Sequence, residues 1–348
     1  MKRIDRRTFL AGVAALIAAG PGARAQEGAP GRLDKAVFGT NWKAQAAHGG
    51  FYQALVDGTY RSFGLDVVIR QGGPQVNNRP LLTAGRIDFM MTGNLLHAFD
   101  NARQGLPTVV VAAMFQKDPQ ALIAHPGQGY ERFEALKDAP VALIAKDAQF
   151  TWWQWLKVRH GFSDEHLRPY NFNLGQFLSN KRAIQQGYSV AEPIYIRQQG
   201  GFDPVVHLLA DHGFSTYSTL IETRRDLVDK RPDYVRRFVD ASILGWYRYL
   251  YGDRAAANAR MLGDNPELTR AEIEASVALM LKQGIVDSGA AIGSGIGTMD
   301  PARIRAFYDD MVRAGLYAPG DVDPARVATL QFINHGVGLD ERRRLTGK

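Results

Sequence analysis

The feature that most constrains this chain is a regular alternation, beginning near residue 35, of short apolar runs with longer amphipathic segments. The runs have strand lengths and lie at 35–40, 66–70, 87–91 and 108–113, and the segments of helical period between them lie at 50–63, 75–84 and 94–104. Glycine and proline mark most of the boundaries, as they do in turns. Parallel strands need helical crossovers of about this length. The pattern therefore predicts βαβ units and an α/β fold with a largely parallel sheet.

A second α/β module follows the first. The apolar run at 121–124 comes too soon after the strand at 108–113 for a helical crossover, so we expect it to be antiparallel or to enter another sheet. The alternation then continues to about residue 222, with a helix at 176–186 and a strand at 188–190, and turns helical after Leu227. We expect the second module to be inserted into the first. The predicted lobes are 34–122 with 220–340 for lobe 1, and 123–219 for lobe 2.

The N-terminal residues 1–25 are typical of a secretory signal, with a basic start, a short apolar stretch and Ala23-Arg24-Ala25 at the end. The Arg6-Arg7 pair favours the twin-arginine type. The apolar stretch is shorter than the ~20 residues that span a bilayer. We therefore predict export to the periplasm and cleavage after Ala25.

Charge and cysteine content exclude several classes of function. Residues 1–25 carry five basic residues and one acidic residue, so the formal charge of +7 falls to +3 without them. No basic run or RNA-binding aromatic motif follows, which argues against a nucleic-acid partner. The absence of cysteine excludes disulfides, thiolate metal sites, cysteine nucleophiles and lipid attachment through a thiol. We expect a freely diffusing monomer whose hydrophobic core alone stabilises it.

The stretch from Asn41 to Gly58 carries the first candidate site residues. Trp42 falls at a predicted strand-to-helix turn, where it can stack on a flat ligand or belong to the core. His48 can donate to a ligand or cap the turn, and no second histidine follows at the spacing of a zinc site. Tyr52 fits the core and the site equally well.

Several short motifs together resemble one family. They are Asn41-Trp42, His48-Gly49-Gly50-Phe51-Tyr52-Gln53-Ala54, Phe63-Gly64-Leu65-Asp66-Val67, Gly85-Arg86-Ile87-Asp88-Phe89, Gly105-Leu106-Pro107 and Ala191-Glu192-Pro193. This combination resembles the NMT1/THI5-like family of solute-binding proteins, over roughly residues 35–320. The resemblance implies a type II periplasmic binding protein, with two α/β lobes, a hinge and a cleft that closes on a small solute. It also implies the permease and ATPase of an ABC importer as partners, and no cofactor, metal or catalytic residue. The family's loop often reads Trp-x-Pro-Asn, whereas this chain has Trp42-Lys43-Ala44-Gln45.

The second module offers a carboxylate and a cluster of tryptophans. Glu192 lies at a predicted strand end, where it can accept from an amine or ring N–H through a charge-assisted bond; the alternative is a salt bridge at the hinge. The helix after Thr151 offers free N–H groups for an anion, but Asp147 nearby argues against one. Of the tryptophans that follow, we expect Trp153 to reach the cleft.

Ligands in such folds bind at the carboxyl ends of strands and in clefts between domains. The residues expected to contact the ligand are Asn41, Trp42, His48, Tyr52, Thr92, Gly93, Asn94, Phe115, Gln116, Gln149, Phe150, Trp153, Tyr188 and Glu192. The resemblance implies a small planar heterocycle such as a thiamine pyrimidine precursor.

Two alternatives stay open. The ligand of the receptor can be an alkanesulfonate, taurine or nitrate. The family also includes a pyrimidine synthase that uses lysine-bound pyridoxal phosphate and a cysteine-rich segment. Here the position resembling its lysine reads Thr92-Gly93, and the segment resembling its cysteines is 213–218, which has none.

Overall fold

The strands of the computed structural model form two sheets of five strands each, and the structure describes residues 33–73 and 76–347. The prediction of a signal at 1–25 lies outside the described residues. The strands are β1 (Asp34–Gly39), β2 (Leu65–Arg70), β3 (Phe89–Asn94), β4 (Thr108–Phe115), β5 (Gln120–Ala124), β6 (Val141–Ile144), β7 (Leu167–Pro169), β8 (Ala183–Tyr188), β9 (Val205–Leu208) and β10 (Ser218–Arg224).

The helices lie between and after these strands. They are α1 (Gly49–Val56), α2 (Thr59–Ser62), α3 (Arg79–Thr83), α4 (Leu95–Arg103), α5 (Lys146–Gln149), α6 (Trp152–His160), α7 (Gly175–Ser179), α8 (Glu192–Gly200), α9 (Arg225–Lys230), α10 (Pro232–Tyr251), α11 (Ala255–Asp264), α12 (Arg270–Gln283), α13 (Ala291–Ser294), α14 (Pro301–Arg313) and α15 (Leu339–Thr346). Within the described part of the chain, no helix combines the length and the apolar character needed to cross a membrane.

Both sheets are mixed. The first has the order β2-β1-β3-β10-β4; β1 pairs in parallel with β2 and β3, whereas β10 is antiparallel to β3 and β4. The second has the order β7-β6-β8-β5-β9; β6 is parallel to β7 and β8, and β5 is antiparallel to β8 and β9. The prediction of a largely parallel sheet is therefore wrong, because β10 and β5 are each antiparallel to both of their neighbours. The α/β class itself is confirmed.

The chain passes from the first sheet to the second between β4 and β5, at residues 116–119, and returns between β9 and β10. The strand at 120–124 therefore enters the second sheet and is antiparallel there, as its closeness to β4 predicted. This crossing falls a few residues before the boundary expected at 122/123, and the division into two lobes stays a prediction.

One predicted helix is wrong in its second half. Residues 176–186 were expected to be helical, but α7 ends at Ser179 and residues 183–188 form β8, the central strand of the second sheet. The segment reads Ala-Ile-Gln-Gln, residues with good or fair helix propensity. Its position between β6 and β5 overrides that preference. The side chain of Gln186 also links two strands of the sheet, because its Oε1 accepts from the backbone N–H of Ala145, the residue after β6, at 2.6 Å.

Two adjacent glycines allow α1 to pack closely on the long helix α10. A methyl group added at Gly49 would lie 2.0 Å from Cε1 of Tyr249, and one added at Gly50 would lie 2.2 Å from Cγ of Trp246. Both distances are far below van der Waals contact, so only glycine fits at either position. The pair is therefore explained by helix packing and not by access of a ligand to the backbone.

Candidate ligand-binding cleft

The segments that follow several strand ends in the two sheets face each other. Trp42, three residues after β1, lies with its ring centroid 5.8 Å from that of Phe172, three residues after β7. Residues of both sides also line a shared small cavity: Gln45, Ala46 and Ala47 of the first side, Tyr188, Val190, Ala191, Ile194 and Tyr195 of the second, and Leu268, Glu272, Ile273 and Ser276. The carboxyl ends of β1, β7 and β8 therefore border one cleft, where α/β folds hold their ligands.

Phe172 is held in an uncommon conformation at the edge of this cleft. Its φ is +58°, and 59% of its surface is exposed. A positive φ is rare for a bulky residue, and an exposed aromatic ring gains little of the stabilisation that burial would give it. Tyr170 lies behind it at 5.3 Å between ring centroids. Two unfavourable features at one residue indicate a functional constraint, since strain of this kind collects at binding sites.

A cavity of about 630 Å³ opens on the second-sheet side of these rings. Its volume lies in the range of roughly 300–1,000 Å³ that is usual for ligand pockets. Phe150, 69% exposed, contributes an apolar surface, and Lys146 and Asp147 contribute charges of opposite sign. The remaining lining residues are Ala145, Tyr170, Asn171 and Phe172.

The first-sheet side of the cleft has a polar corner around Gly93. A methyl group at Gly93 would lie 3.1 Å from Cε1 and 3.2 Å from Nδ1 of His97, so the missing side chain lets the imidazole rest against the end of β3. The amide Nδ2 of Asn41 is 3.9 Å from the same position, and its Oδ1 is buried without a hydrogen-bond partner. The side chain of Asn94 caps α4 by accepting from the N–H of Leu96 at 3.1 Å.

Arg79, the first residue of α3, stands close to this corner. Its Nε is buried without a hydrogen-bond partner, and within the described residues it makes no ion pair. His97 is exposed to solvent, yet its pKa is lowered, chiefly by desolvation and then by the charge of Arg79. Asp147, from the opposite side, acts on the same pKa in the raising direction. His97 therefore lies within electrostatic reach of both sides of the cleft.

Three carboxylates act electrostatically on Tyr188, which lies at the end of β8. Burial raises the pKa of Tyr188, and the charges of Asp118, Glu192 and Asp147 raise it further. Glu192, the first residue of α8, accepts from the N–H of Tyr188 at 2.6 Å, and desolvation raises its own pKa. No cation among the described residues pairs with Glu192, so the alternative that Glu192 forms a salt bridge at the hinge is not supported. The group is rich in hydrogen-bond acceptors.

Six of the expected site residues have almost no accessible surface and cannot touch a ligand in this conformation. They are His48, Tyr52, Thr92, Phe115, Gln116 and Trp153. Trp153 was expected in the cleft, but its Nε1 donates to Asp164 at 2.9 Å and its ring packs on Phe162. Gln116 donates to the carbonyl oxygen of Thr298 at 3.0 Å. Desolvation lowers the pKa of His48 to about 3, which keeps its imidazole neutral.

The structure brings the other expected residues to the cleft, with one exception. Those at the cleft are Asn41, Trp42, Gly93, Asn94, Phe150, Tyr188 and Glu192. The exception is the half-buried Gln149. Its Nε2 donates to the carbonyl oxygen of Ile144, the last residue of β6, at 2.9 Å, so this amide is engaged within the second sheet's own side. Sequence reasoning missed Arg79, Tyr170 and Phe172, and it considered His97 only as a possible match to the histidine of the family's pyrimidine synthase. The available signals were that Arg79 follows a Gly-Gly-Pro loop and that Tyr170 falls near a strand end.

Two mixed five-stranded sheets whose strand ends border a common cleft define the type II periplasmic binding protein fold. The family model described as NMT1/THI5 like matches residues 45–257, and the chain belongs to this family. No curated protein matches the sequence.

Solved structures agree with this fold. A putative periplasmic sulfonate-binding protein SsuA from Methylobacillus flagellatus KT superimposes with a TM-score of 0.61 at 13% identity, over 90% of this chain and 96% of that one. The alkanesulfonate-binding protein SsuA from Xanthomonas axonopodis pv. citri, bound to MOPS, gives 0.58 at 15% identity over 86% and 99%. The desulfurization enzyme DSZB gives 0.57 at 12% identity over 88% and 99%. At these identities the likeness establishes the fold alone.

Proposed function

We propose that this chain is the solute-binding receptor of an ABC importer and binds a small planar heterocycle, such as a thiamine pyrimidine precursor, between Trp42 and Phe172. The observation that carries the proposal is this aromatic pair, contributed by the two sheets and separated by 5.8 Å. Large flat rings combine buried area with preferred stacking geometry. The strained and exposed Phe172 supports the same interpretation.

Insertion of a ring between these two side chains requires movement of the two sides. Carbon atoms in contact lie about 3.5–4 Å apart, so a ring sandwiched between two others needs roughly 7 Å between the outer centroids. The present separation is 5.8 Å, with the ring planes tilted by 46°. The sides must part slightly to admit a ligand and close again on it. Such closure presents a changed surface to a membrane permease, as domain closure does in binding proteins.

Polar groups beside the rings match an aminopyrimidine. Glu192 offers an acceptor, and an exocyclic amine offers donors. Export to the periplasm, by the signal expected at residues 1–25, and a monomeric state belong to the same proposal. No reaction is needed for it.

The second candidate ligand is an alkanesulfonate, taurine or nitrate. The unpartnered Nε of Arg79 favours it, since a buried cationic donor without a partner is stabilised by an anion. The names of the sulfonate-binding structural neighbours point in the same direction.

An enzyme of the pyridoxal phosphate type is less well supported. The hydroxyl of Thr92 is buried and donates to Glu222, and the ring of His97 fills the space beside Gly93. The position resembling the family enzyme's lysine therefore holds no amine, and a side chain at Gly93 would crowd the imidazole of His97.

The test is calorimetry on the secreted protein with an aminopyrimidine, taurine and nitrate. We expect the aminopyrimidine to bind with micromolar affinity, about −8 kcal/mol, and to raise the melting temperature by mass action. Binding of taurine or nitrate with no binding of the aminopyrimidine would transfer the assignment to the second candidate.

A further inference from the structure

We infer that the ligand carries an anionic substituent on its ring, and that Arg79 and His97 form the corner that holds it. The inference rests on the proposed function, because the ring is placed by Trp42 and Phe172. It combines the ring of the first candidate ligand with the anionic group of the second, and so names an aromatic anion such as an aryl sulfonate, carboxylate or phosphate.

The guanidinium of Arg79 lacks a partner within the described residues. Several arginines of the first-sheet side are paired with carboxylates; for example, Arg237 contacts Asp34 at 2.7 Å, and Arg342 contacts Asp287 at 2.7 Å. Arg79 has no such partner within the described residues, and its Nε is buried and makes no hydrogen bond. A buried donor left unpaired is costly to the fold. A guanidinium presents a planar fork of donors that fits the oxygens of an anion.

Neighbouring side chains complete the corner. The imidazole of His97 lies against the backbone of Gly93, and the amide of Asn41 approaches the same point. Asn41 precedes Trp42 in the chain, so the corner and the stacking ring share the segment that follows β1. Guanidinium, imidazole and amide together supply donors to the several oxygens that a sulfonate, carboxylate or phosphate carries.

The remaining charges around His97 do not neutralise Arg79. The groups that act on His97 are Arg79, Asp100, Glu222 and Asp147. Asp100 is engaged by Arg103 at 3.0 Å, and Glu222 accepts from Asn101 at 2.7 Å and from Thr92. Asp147 lies on the second-sheet side and is exposed. Of the four groups that act on the pKa of His97, Arg79 is therefore the cation, and none of the three carboxylates is paired with it.

An anion in this corner favours the protonated form of His97. Because desolvation and Arg79 lower the pKa of the free histidine, binding should be accompanied by proton uptake. Affinity for an anion should then rise as the pH falls, and His97→Gln should remove both effects.

The experiment compares benzenesulfonate with benzenesulfonamide, which have the same ring and nearly the same shape and differ in charge. We expect the wild-type protein to bind benzenesulfonate at least tenfold more tightly. Arg79→Gln should abolish this difference while leaving the melting temperature of the free protein unchanged, since no ion pair is lost. The matched control is Arg86→Gln, an exposed arginine that follows α3 and should keep the difference in full.

The outcomes separate the two proposals. Equal binding of both probes that depends on Trp42 would overturn the anion corner and keep the aromatic receptor. A tenfold preference that survives Arg79→Gln would also overturn the corner. Failure of both probes and of an aminopyrimidine to bind at millimolar concentration would overturn the receptor and the corner together. Calorimetry in two buffers of different ionisation enthalpy measures the proton uptake, and its absence in the wild-type protein would remove His97 from the corner.

Discussion

Asn94 donates a 2.9 Å hydrogen bond from its Nδ2 to the carboxylate of Asp118, and so ties the end of β3 to the segment through which the chain enters the second sheet. The other oxygen of Asp118 accepts from the N–H of Gln120, the first residue of β5, at 2.8 Å. Asp118 is 1% exposed. It pairs with no cation among the described residues, and burial raises its pKa to about 6. The connection between the sheets therefore holds a carboxylate that is charged at neutral pH at a cost in stability.

This arrangement predicts an unusual pH dependence. A carboxyl group whose pKa is higher in the folded state binds its proton more tightly there, so it lowers the free energy of unfolding as the pH rises from about 4 to about 6. Asp118→Asn cannot lose a proton. We expect the stability of Asp118→Asn relative to wild type to rise by about 2 kcal/mol between pH 4.5 and pH 7.5, at 1.36 kcal/mol per pKa unit.

Denaturant unfolding at several pH values measures this difference. Asp309→Asn is the control, because Asp309 is exposed on α14 and makes no ion pair among the described residues. The two variants should differ in their pH dependence, and parallel curves for Asp118→Asn and wild type would contradict the prediction.

Trp42→Ala tests the aromatic pair directly. If Trp42 stacks on the ligand, the variant should lose more than about 1 kcal/mol of binding free energy, and Trp42→Phe should recover part of it. If Trp42 is a core residue instead, the free energy of unfolding should fall by roughly 3–5 kcal/mol. Trp42 is half-buried, so we expect the first result, measured by calorimetry for binding and by denaturant for stability.

Phe172 allows strain and stacking to be separated. At a φ of +58° a glycine is relaxed, whereas an alanine keeps the backbone penalty. Phe172→Gly should therefore be more stable than Phe172→Ala by about 1 kcal/mol. Both variants lack the ring, so both should lose affinity for an aromatic ligand by the same factor. A glycine variant that is less stable than the alanine variant would show that the backbone at this residue is not strained.

The sequence predicted the elements whose periodicity is strong and whose surroundings agree with it. The strands near 35–40 and 108–113 were located within two residues of β1 and β4, because apolar β-rich residues there are buried in a sheet. It failed at 183–188, where local helix propensity and the position in the sheet disagree. Propensity is a weak preference that tertiary contacts override.

The candidate site was harder to predict, because it depends on which side chains reach one cleft. Trp42 and Glu192 follow strand ends, and that rule found them. Trp153 was expected in the cleft because the three tryptophans of one helix cannot all face the same way, but its side chain turns inward to Asp164. Phe172 is marked as a site residue by its positive φ, and Arg79 is marked by a buried Nε that has no hydrogen-bond partner. The sequence shows only that Arg79 follows a Gly-Gly-Pro loop, and neither the dihedral angle nor the missing partner can be seen in it.

Glu192→Gln tests the acceptor side of the site. Glu192 accepts from the N–H of Tyr188 at 2.6 Å, and a glutamine oxygen can take over that bond. Desolvation raises the pKa of the carboxyl group, so removing its charge costs the free protein nothing. The melting temperature without ligand should be unchanged or slightly higher. The affinity for an aminopyrimidine should fall about tenfold, or about 1.4 kcal/mol, because one of two acceptor oxygens becomes a donor.

Unsubstituted pyrimidine lacks the amine and should bind wild type and Glu192→Gln equally, which makes it the ligand control. Glu165→Gln is the protein control, since Glu165 is exposed in the short 3₁₀ turn at 164–166. The pH dependence has a fixed sign: only the ionised carboxylate accepts on both oxygens, so wild-type affinity for the amine should weaken as the pH falls through the raised pKa, and that of Glu192→Gln should not. Calorimetry that finds wild-type affinity in both Glu192→Gln and Trp42→Ala would contradict the proposed site, because the proposal places the ring of the ligand on Trp42 and its amine on Glu192.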